Sequence, residues 1–519
     1  MTATTPPIDR TKGLFPAGLL LADRRRPALL LPLAIALVVV AGLAQQVFGA
    51  VNTDNSWLFT VGEKLLAGAV AYVDIIEANP PASIMLYMPA VLLGHALAIS
   101  TELATTLLTF AGIAAALRLT FTMLRRAGLA TAAEMPFLWL AGLFTLILFP
   151  GSCFAEREHI AAAAALPALV ALATRMAGHR PALTHSLAAG LLAGLTVAIK
   201  PHFALALALP LAFAAARRRD WRLLFSLEVL VATLVIAAYA ASVLLVFPHY
   251  LDIVPALMDA YVALREPLLN LLVQPWPLLQ ALLLAALGSS MWRCRRAPDL
   301  AILTGLASLG FVLAAFAQGK GWINHYFGGV ALATMALAFF LAPLVPPDAA
   351  AARAREWAKL RLVMLFAVLP GLFGGFFLFR EIYEDVYPGL AAAIARVAPA
   401  HPSLIVLSGE LNIGHPLVRD IDGVWAGRPG SLWLTVTSGL RLRTDGLDEA
   451  YKARLIGHIH ADAAMFLEDV RRKHPDVILV EDKTYPKLLK LAPELAGALE
   501  GYTRRDEAEG IAVWTRQGL

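Results

Sequence analysis

Four stretches of the chain set ionisable side chains among apolar residues, and their types are those that do chemistry. The first runs from Asn52 to Pro81 and holds Asp54, Asp74 and Glu77. The second is Phe154-Ala155-Glu156-Arg157-Glu158-His159. The third is Ile199-Lys200-Pro201-His202, and the fourth runs from Gln318 through Lys320 to His325. A carboxylate such as Asp54 or Glu77 can take a proton from an attacking hydroxyl. Arg157, Lys200, His202, Lys320 and His325 are residue types that hold a phosphate. Glu156 and His159 offer the donor types of a divalent-cation site. Each group also has an ordinary reading. Asp54 could cap the helix after it, Glu77 could brace its loop, Lys200 could snorkel to a membrane interface, and Glu156 to His159 could be a charged turn.

The elements that must carry these groups are apolar. The chain has 519 residues, 59% hydrophobic and 16% charged, with mean hydropathy +0.68. A soluble protein carries about a quarter charged residues. The deficit is confined to residues 28–380, a series of apolar runs, while 381–519 reads as an ordinary soluble domain. An apolar run of about 20 residues spans a bilayer as a helix. Candidate spans are 28–50, 101–124, 133–151, 159–177, 184–199, 203–216, 222–247, 274–291, 300–317, 326–345 and 361–380. Residues 81–98 are read as a juxtamembrane helix rather than a further span. The segments 184–199 and 203–216 are two brief helices or one broken at Pro201.

Basic clusters orient the bundle. Arg24–Arg26, Arg125–Arg126, Arg175 with Arg180, Arg217–Arg219, Arg293 with Arg295 and Arg296, and Arg353 to Arg361 fall on one side if the spans alternate. That side is the cytoplasm, so the N-terminus is inside and the C-terminal domain outside. The formal charge of +5 is therefore a topology signal and not a nucleic-acid signal. No cleavable signal peptide is apparent. Cys153 and Cys294 fall on opposite sides, which argues against a disulfide. All four ionisable stretches then gather at the outer face, where charge next to hydrocarbon points to function.

In the first outer loop, Trp57, Leu58, Val61, Leu65 and Leu66 have helical spacing, predicting an amphipathic interfacial helix over 55–67. An acidic residue just after the first span, this helix, then Tyr72-Val73-Asp74 and Pro80-Pro81 opening an apolar helix: the block resembles the GT-C superfamily of membrane glycosyltransferases. That superfamily includes protein O-mannosyltransferases, the lipid A aminoarabinose transferase and rhizobial galacturonosyltransferases. The resemblance covers the N-terminal two-thirds of the chain and is most specific from Asp54 to Pro81. It implies that Asp54 is the base for the acceptor hydroxyl, with Glu77 a second acid or a metal ligand. It further implies a polyprenyl-phosphate-linked sugar donor, cations that hold its phosphate, and a glycan, lipid or protein acceptor. The aminoarabinose transferase has a lysine just before its Pro-Pro, where this chain has Asn79, so that contact must come from elsewhere. The comparable late outer loop adds Lys320 and His325. Pro248 to Pro267, with His249, Asp252, Tyr261 and Arg265, is either an interfacial helix or a loop that closes over the lipid.

In the C-terminal domain, 403–408, 476–480 and 511–515 read as strands, and 447–474 and 484–499 as helices. It shows no glycine-rich phosphate loop, metal spacing or nucleophile elbow. The expected fold is thus an all-α polytopic membrane bundle of about eleven transmembrane helices. Outer-face juxtamembrane helices and a soluble α/β domain complete it. The expected function is an inverting glycosyltransferase of the bacterial inner membrane, using a lipid-phosphate sugar and in one version a divalent metal. A transporter or lipid flippase and a non-catalytic scaffold are the alternatives. A transporter would show internal repeats and mid-membrane charge.

Overall fold

The computed structural model describes residues 26–49, 51–132, 134–342 and 387–518. The expected last span at 361–380, the basic cluster from Arg353 to Arg361 and the boundary at 380/381 lie outside them, as do Arg24 and Arg25.

Backbone in hydrocarbon must satisfy its own hydrogen bonds, and the apolar part of the chain is accordingly helical. Its helices are α1 (Arg26–Phe48), α2 (Thr53–Leu66), α3 (Ala82–Met85), α4 (Met88–Leu97), α5 (Thr101–Arg126) and α6 (Met135–Leu143). There follow α7 (Arg157–Met176), α8 (Leu183–Ile199), α9 (Ala204–Arg218), α10 (Leu227–Leu245) and α11 (Tyr250–Ala256). Last come α12 (Leu268–Leu272), α13 (Pro275–Cys294), α14 (Asp299–Gln318) and α15 (Ile323–Leu341). Among the described residues, five helices are long and apolar enough to cross a membrane: α5, α7, α10, α14 and α15. Residues Ala82–Leu97, Met135–Leu148 and Leu183–Ile199 are apolar but shorter. Lys200 is extended (φ −147°, ψ 118°) before a 3-10 turn at Pro201–Phe203, so α8 and α9 are separate helices.

Small residues set how closely these helices approach. Gly190 and Gly194 lie on one face of α8. A Cβ on Gly190 would sit 2.7 Å from the Glu228 carbonyl oxygen, and one on Gly194 would sit 2.5 Å from the Val235 Cβ, both on α10. This is the small-xxx-small contact of membrane helices. α7 and α15 are almost wholly buried, while Leu230, Leu234, Leu244 and Leu245 of α10 are exposed in the manner of a lipid-facing surface. At the end of the bundle away from the cavity described below, Glu228 accepts from Arg175 at 2.8 and 3.1 Å and from Ser186 at 2.6 Å.

The rest is an α/β layer. It comprises α16 (Leu390–Val397), β1 (Ser403–Leu407), α17 (Leu417–Asp420), β2 (Val424–Trp425), α18 (Trp433–Arg441) and α19 (Glu449–Lys473). It ends with β3 (Val477–Glu481), α20 (Tyr485–Leu491), β4 (Tyr502–Ala508) and β5 (Ile511–Arg516). The five-stranded sheet has the order β2-β1-β3-β5-β4. β1 is parallel to β2 and β3, and β5 is antiparallel to β3 and β4. The three strands expected from sequence are present; β2 and β4 are additional. One sheet face, with Ile405, Ile478 and Val480, packs on Ile459, Ala463 and Phe466 of α19. The other, with Leu404, Val406 and Leu479, shares a core with Leu390 and Ile394 of α16 and with Trp57 and Leu58 of α2.

That shared core corrects the expectation for α2. It is not an interfacial helix with one face in lipid. Asn55 to Gly62 are all buried, and the helix is packed between the bundle and the sheet. Polar contacts fasten the junction. Arg419 donates to Glu63 at 2.6 and 2.9 Å and also to Glu102, Lys64 donates to the Gly427 carbonyl at 3.3 Å, and Ile76 N–H donates to the Arg428 carbonyl at 2.9 Å.

Candidate active site

Where the sheet meets the bundle, a cavity of about 1250 Å³ opens. It is lined by the start of α2, the 76–80 loop, the start of α7, the α8–α9 junction, the 250–262 segment, the α14–α15 junction, and residues 409–437 of the α/β layer. Asp54, Glu77, Glu156, Arg157, Lys200, His202, Lys320 and His325 all line it. Of the expected site residues, His159 does not.

Asn52, not Asp54, caps α2. The Asn52 carboxamide accepts from Asp54 N at 2.8 Å and Asn55 N at 3.2 Å, and donates to the Ser152 carbonyl at 3.1 Å. The Asp54 carboxylate, relieved of capping, stands in the cavity wall with its side chain 34% exposed. Ala155 takes a positive φ of 59° and Glu156 is extended, so the chain turns sharply and α7 starts at Arg157. Arg157 is 2% exposed; its Nη2 donates to Asp54 Oδ2 at 2.5 Å and lies 3.9 Å from Glu156 Oε2. Its Nε and Nη1 are buried with no hydrogen-bond partner, and the same holds for Glu156 Oε2. Buried donors without acceptors are costly unless something else satisfies them.

A second ion pair lies beside the first. Lys200 Nζ donates to Glu158 Oε1 at 2.5 Å and to Gln318 Oε1 at 3.2 Å. Lys200 is 5% exposed, so it does not snorkel to an interface. His325 Nε2 lies 3.8 Å from Glu158 Oε1, and both His325 Nδ1 and His202 Nε2 are buried without partners.

The other expected site residues are held by protein groups. His159 accepts from Ala155 N through Nδ1 at 3.0 Å, which leaves Nε2 to donate to the Leu146 carbonyl at 2.8 Å. Both ring nitrogens are therefore occupied, and His159 is no metal ligand here. Among the described residues no group of three His, Cys, Asp or Glu side chains could hold a metal ion. Glu156 Oε2 faces the Arg157 guanidinium at 3.9 Å. Among the described residues, those on this cavity do not fit a divalent cation.

Glu77 is buried; Trp57 Nε1 donates to its Oε2, and Asn79 N (2.7 Å) and Asn79 Nδ2 donate to its Oε1. Burial pushes its carboxyl above the usual range, and Arg157 and Asn79 pull it back. Lys320 sits between two positive-φ glycines, Gly319 (67°) and Gly321 (71°). Its ammonium donates to the carbonyls of Tyr261 and of Leu264 (2.7 Å) and lies 4.1 Å from the Tyr261 ring centroid. Burial, aided by Arg265, pushes Lys320 down to about 8. The 257–266 segment is held from the other side too. Asp259 accepts from Arg454 at 3.1 Å and faces His458 at 3.2 Å, and the Tyr451 hydroxyl donates to the Asp259 carbonyl at 2.5 Å.

Sequence reasoning missed the wall contributed by the α/β layer, including Glu410, Asn412, Trp433 and Thr437. One signal was available. Gly409 and Glu410 follow β1, and open parallel sheets place ligands at the carboxyl ends of their strands.

No family model matches the chain, and no curated protein matches it. Solved structures do share its fold. The crystal structure of ArnT from Cupriavidus metallidurans in the apo state matches with TM-score 0.54 at 14% identity, covering 94% of this chain and 98% of that one. The same protein bound to undecaprenyl phosphate matches with TM-score 0.52 at 14% identity, covering 93% and 97%. The Archaeoglobus fulgidus oligosaccharyltransferase in complex with Zn and sulfate shows TM-score 0.43 at 11% identity over 92% of this chain and 73% of that one. The likeness to ArnT spans both the helices and the α/β layer, so the resemblance read between Asp54 and Pro81 extends to the architecture. The chain has an ArnT-like polytopic fold.

Proposed function

We propose that the protein is an inverting glycosyltransferase, moving a sugar from a polyprenyl-phosphate carrier to an acceptor hydroxyl at the periplasmic face of a bacterial inner membrane. The observation that carries this reading is the Asp54–Arg157 pair. A carboxylate and a buried guanidinium with two unpartnered nitrogens share one cavity wall. Asp54 takes the proton of the acceptor hydroxyl as its oxygen bonds to the anomeric carbon. On the opposite side of that carbon, the bond to the phosphate oxygen breaks, and the phosphate leaves with the electron pair. Arg157 Nε and Nη1 receive its oxygens in the paired geometry that guanidinium and phosphate favour. Lys200, tied to Glu158, adds positive potential without being free to leave. That a solved ArnT is bound to undecaprenyl phosphate supports a donor of this chemical class.

Glu77 then acts as a brace that holds the 76–80 loop, and Lys320 as a positioning residue for the 257–266 segment. Residues 1–380 form the catalytic membrane unit of about eleven spans, and 381–519 a periplasmic α/β domain. Arg125, Arg175, Arg217 and Arg293 sit at the helix ends remote from the cavity, which favours a cytoplasmic location for those ends and an external one for the cavity. The test is mass spectrometry of cell-envelope glycans from a deletion strain. A sugar lost on deletion, restored by the wild-type gene and not by Arg157→Ala, is the expected result; an unchanged glycan profile overturns the reading.

A further inference from the structure

The two sides of the cavity differ in charge. Every basic residue on its lining, Arg157, Lys200 and Lys320 with His202 and His325, comes from the helical bundle and its loops. The wall from the α/β layer carries one charged residue among the described residues, Glu410, an acid. A phosphate or carboxylate bound at that wall would meet Glu410 and, among the described residues, no cation of the layer, a like-charge contact that specificity uses for rejection; the ammonium of Lys320 nearby is committed to the Tyr261 and Leu264 carbonyls. Its other members include Asn412, Ser431 and Thr437. These are neutral groups, wasted on an acyl chain and suited to hydroxyls: the Asn412 carboxamide can donate and accept, and the Ser431 and Thr437 hydroxyls, which donate to the Gly409 and Trp433 carbonyls at 3.0 and 2.8 Å, keep lone pairs to accept. The Asn412 Oδ1 is buried with no partner.

Aromatic rings complete this side. Trp433 meets Tyr261 edge-on at 5.9 Å and 81°, and Tyr261 meets Trp322 at 6.2 Å and 52°. All three line the cavity. Tyr261 shares the cavity with the proposed base, Asp54. A pyranose ring offers C–H bonds on its flat face and hydroxyls at its rim. It can therefore stack on an aromatic face, whose quadrupole is negative, while its rim hydrogen bonds to amide and hydroxyl side chains.

We infer that the α/β layer is the acceptor subsite and that its acceptor is an uncharged glycan, stacked on Trp433 and Tyr261 and hydrogen bonded by Asn412 and Thr437. This rests on the transferase reading, because it assigns the second substrate of the same cavity. Lys320 has a part in it, since it fixes the backbone and ring of Tyr261.

The test uses the purified full-length protein in detergent micelles against immobilised oligosaccharides of neutral, uronic-acid and phosphorylated types, with a peptide panel alongside. The neutral set should be retained preferentially. Trp433→Ala should weaken that binding about tenfold, the loss of one stacking contact, while Trp433→Phe should retain most of it. Preference for acidic or phosphorylated glycans, for peptides, or neutral binding indifferent to Trp433→Ala overturns the assignment. Binding of undecaprenyl phosphate is measured on the same samples. If that binding is unaffected by Arg157→Ala, the transferase reading itself fails. If it depends on Arg157 while glycan binding ignores Trp433, only the acceptor assignment fails. Retained donor binding in Trp433→Ala shows that the variant is folded.

Discussion

Asp54→Asn separates a base from a counter-ion. Asparagine keeps the shape, and its carboxamide oxygen can still accept from Arg157 Nη2, which now donates to Asp54 at 2.5 Å. What disappears is the negative charge and the ability to take a proton. A positioned general base contributes about 10² to 10⁴ in rate, so the barrier should rise by roughly 3 to 5 kcal/mol. The effect on the fold should be modest. Asp54 is 34% exposed and asparagine can keep the hydrogen bond, but Arg157 is 2% exposed and loses its counter-charge, so the loss in stability should be about 1 to 3 kcal/mol. Binding of the carrier phosphate should hold or improve. The carboxylate that competes for Arg157 is gone, and about 1 kcal/mol at such a site corresponds to roughly a fivefold tightening. The assay is paired: glycan product by mass spectrometry in the complemented deletion strain, and undecaprenyl phosphate binding to purified protein by native mass spectrometry. Product formation within about tenfold of wild type would remove Asp54 as the base. Simultaneous loss of product and of phosphate binding would make Asp54 a structural partner of Arg157 and nothing more.

Lys320→Met separates a brace from a phosphate ligand. Amide exchange over 261–266 should rise about tenfold as two anchored carbonyls are released, with undecaprenyl phosphate binding within about twofold of wild type; a tenfold loss of that binding restores the direct-ligand role. Arg419→Ala leaves Glu63 and Glu102 without their shared cation and should weaken the junction by about 2 kcal/mol, read as faster proteolytic release of the α/β layer. Unchanged cleavage refutes it. Asp462, in α19 and buried, is raised to about 6 by burial, although Thr435 donates to it twice. Between the usual carboxylate value of 3.8 and about 6 the folded state binds more protons than the unfolded one, so stability is full below that window and lost as pH rises through it. Asp462→Asn should therefore stabilise the protein at pH 7.5 by about 2 to 3 kcal/mol and have no effect below about pH 4, measured as the thermal midpoint of the full chain. Equal midpoints at pH 7.5 would refute the buried charge.

Ionisable residues in apolar surroundings are legible because water-loving groups are excluded from hydrocarbon unless something requires them. Asp54, Arg157 and Lys200 stood out for that reason, and the structure brings them to one cavity. What could not be read was how each is occupied. Asn52 and Asp54 are equally good capping types two residues apart, and only the path of the chain gave the cap to Asn52. His159 looked available because the positive φ of Ala155, which turns that residue's N–H onto the imidazole, leaves no trace in composition. The amphipathic pattern of α2 is the same whether its apolar face meets lipid or a β-sheet, so its burial was invisible. β4 is missing from the expected strands because Thr503 to Glu507 is polar throughout, as befits an exposed edge. The cavity wall at Asn412, Trp433 and Thr437 carries no charge, and neutral binding residues look like any surface.

One guanidinium faces both halves of the proposed reaction. Arg157 binds Asp54 through Nη2, while its Nε and Nη1 have no hydrogen-bond partner. A carrier phosphate arriving at those nitrogens brings a charge that competes with Asp54 for the same cation. The carboxylate loses part of its hold as the donor is seated, and becomes available to a hydroxyl at the moment an electrophilic carbon is present. The base therefore needs no separate gate. The same geometry explains the second ion pair. Asp54 and Glu156 already face Arg157, so a Glu158 free to pair with it would be a third competitor for the phosphate; Lys200, at 2.5 Å, holds Glu158 in a pair of its own. The burial of the carboxylates is unequal in the same sense: Glu158 is sealed within the bundle, whereas Asp54, which in the proposed reaction meets the acceptor, is the one left open to the cavity.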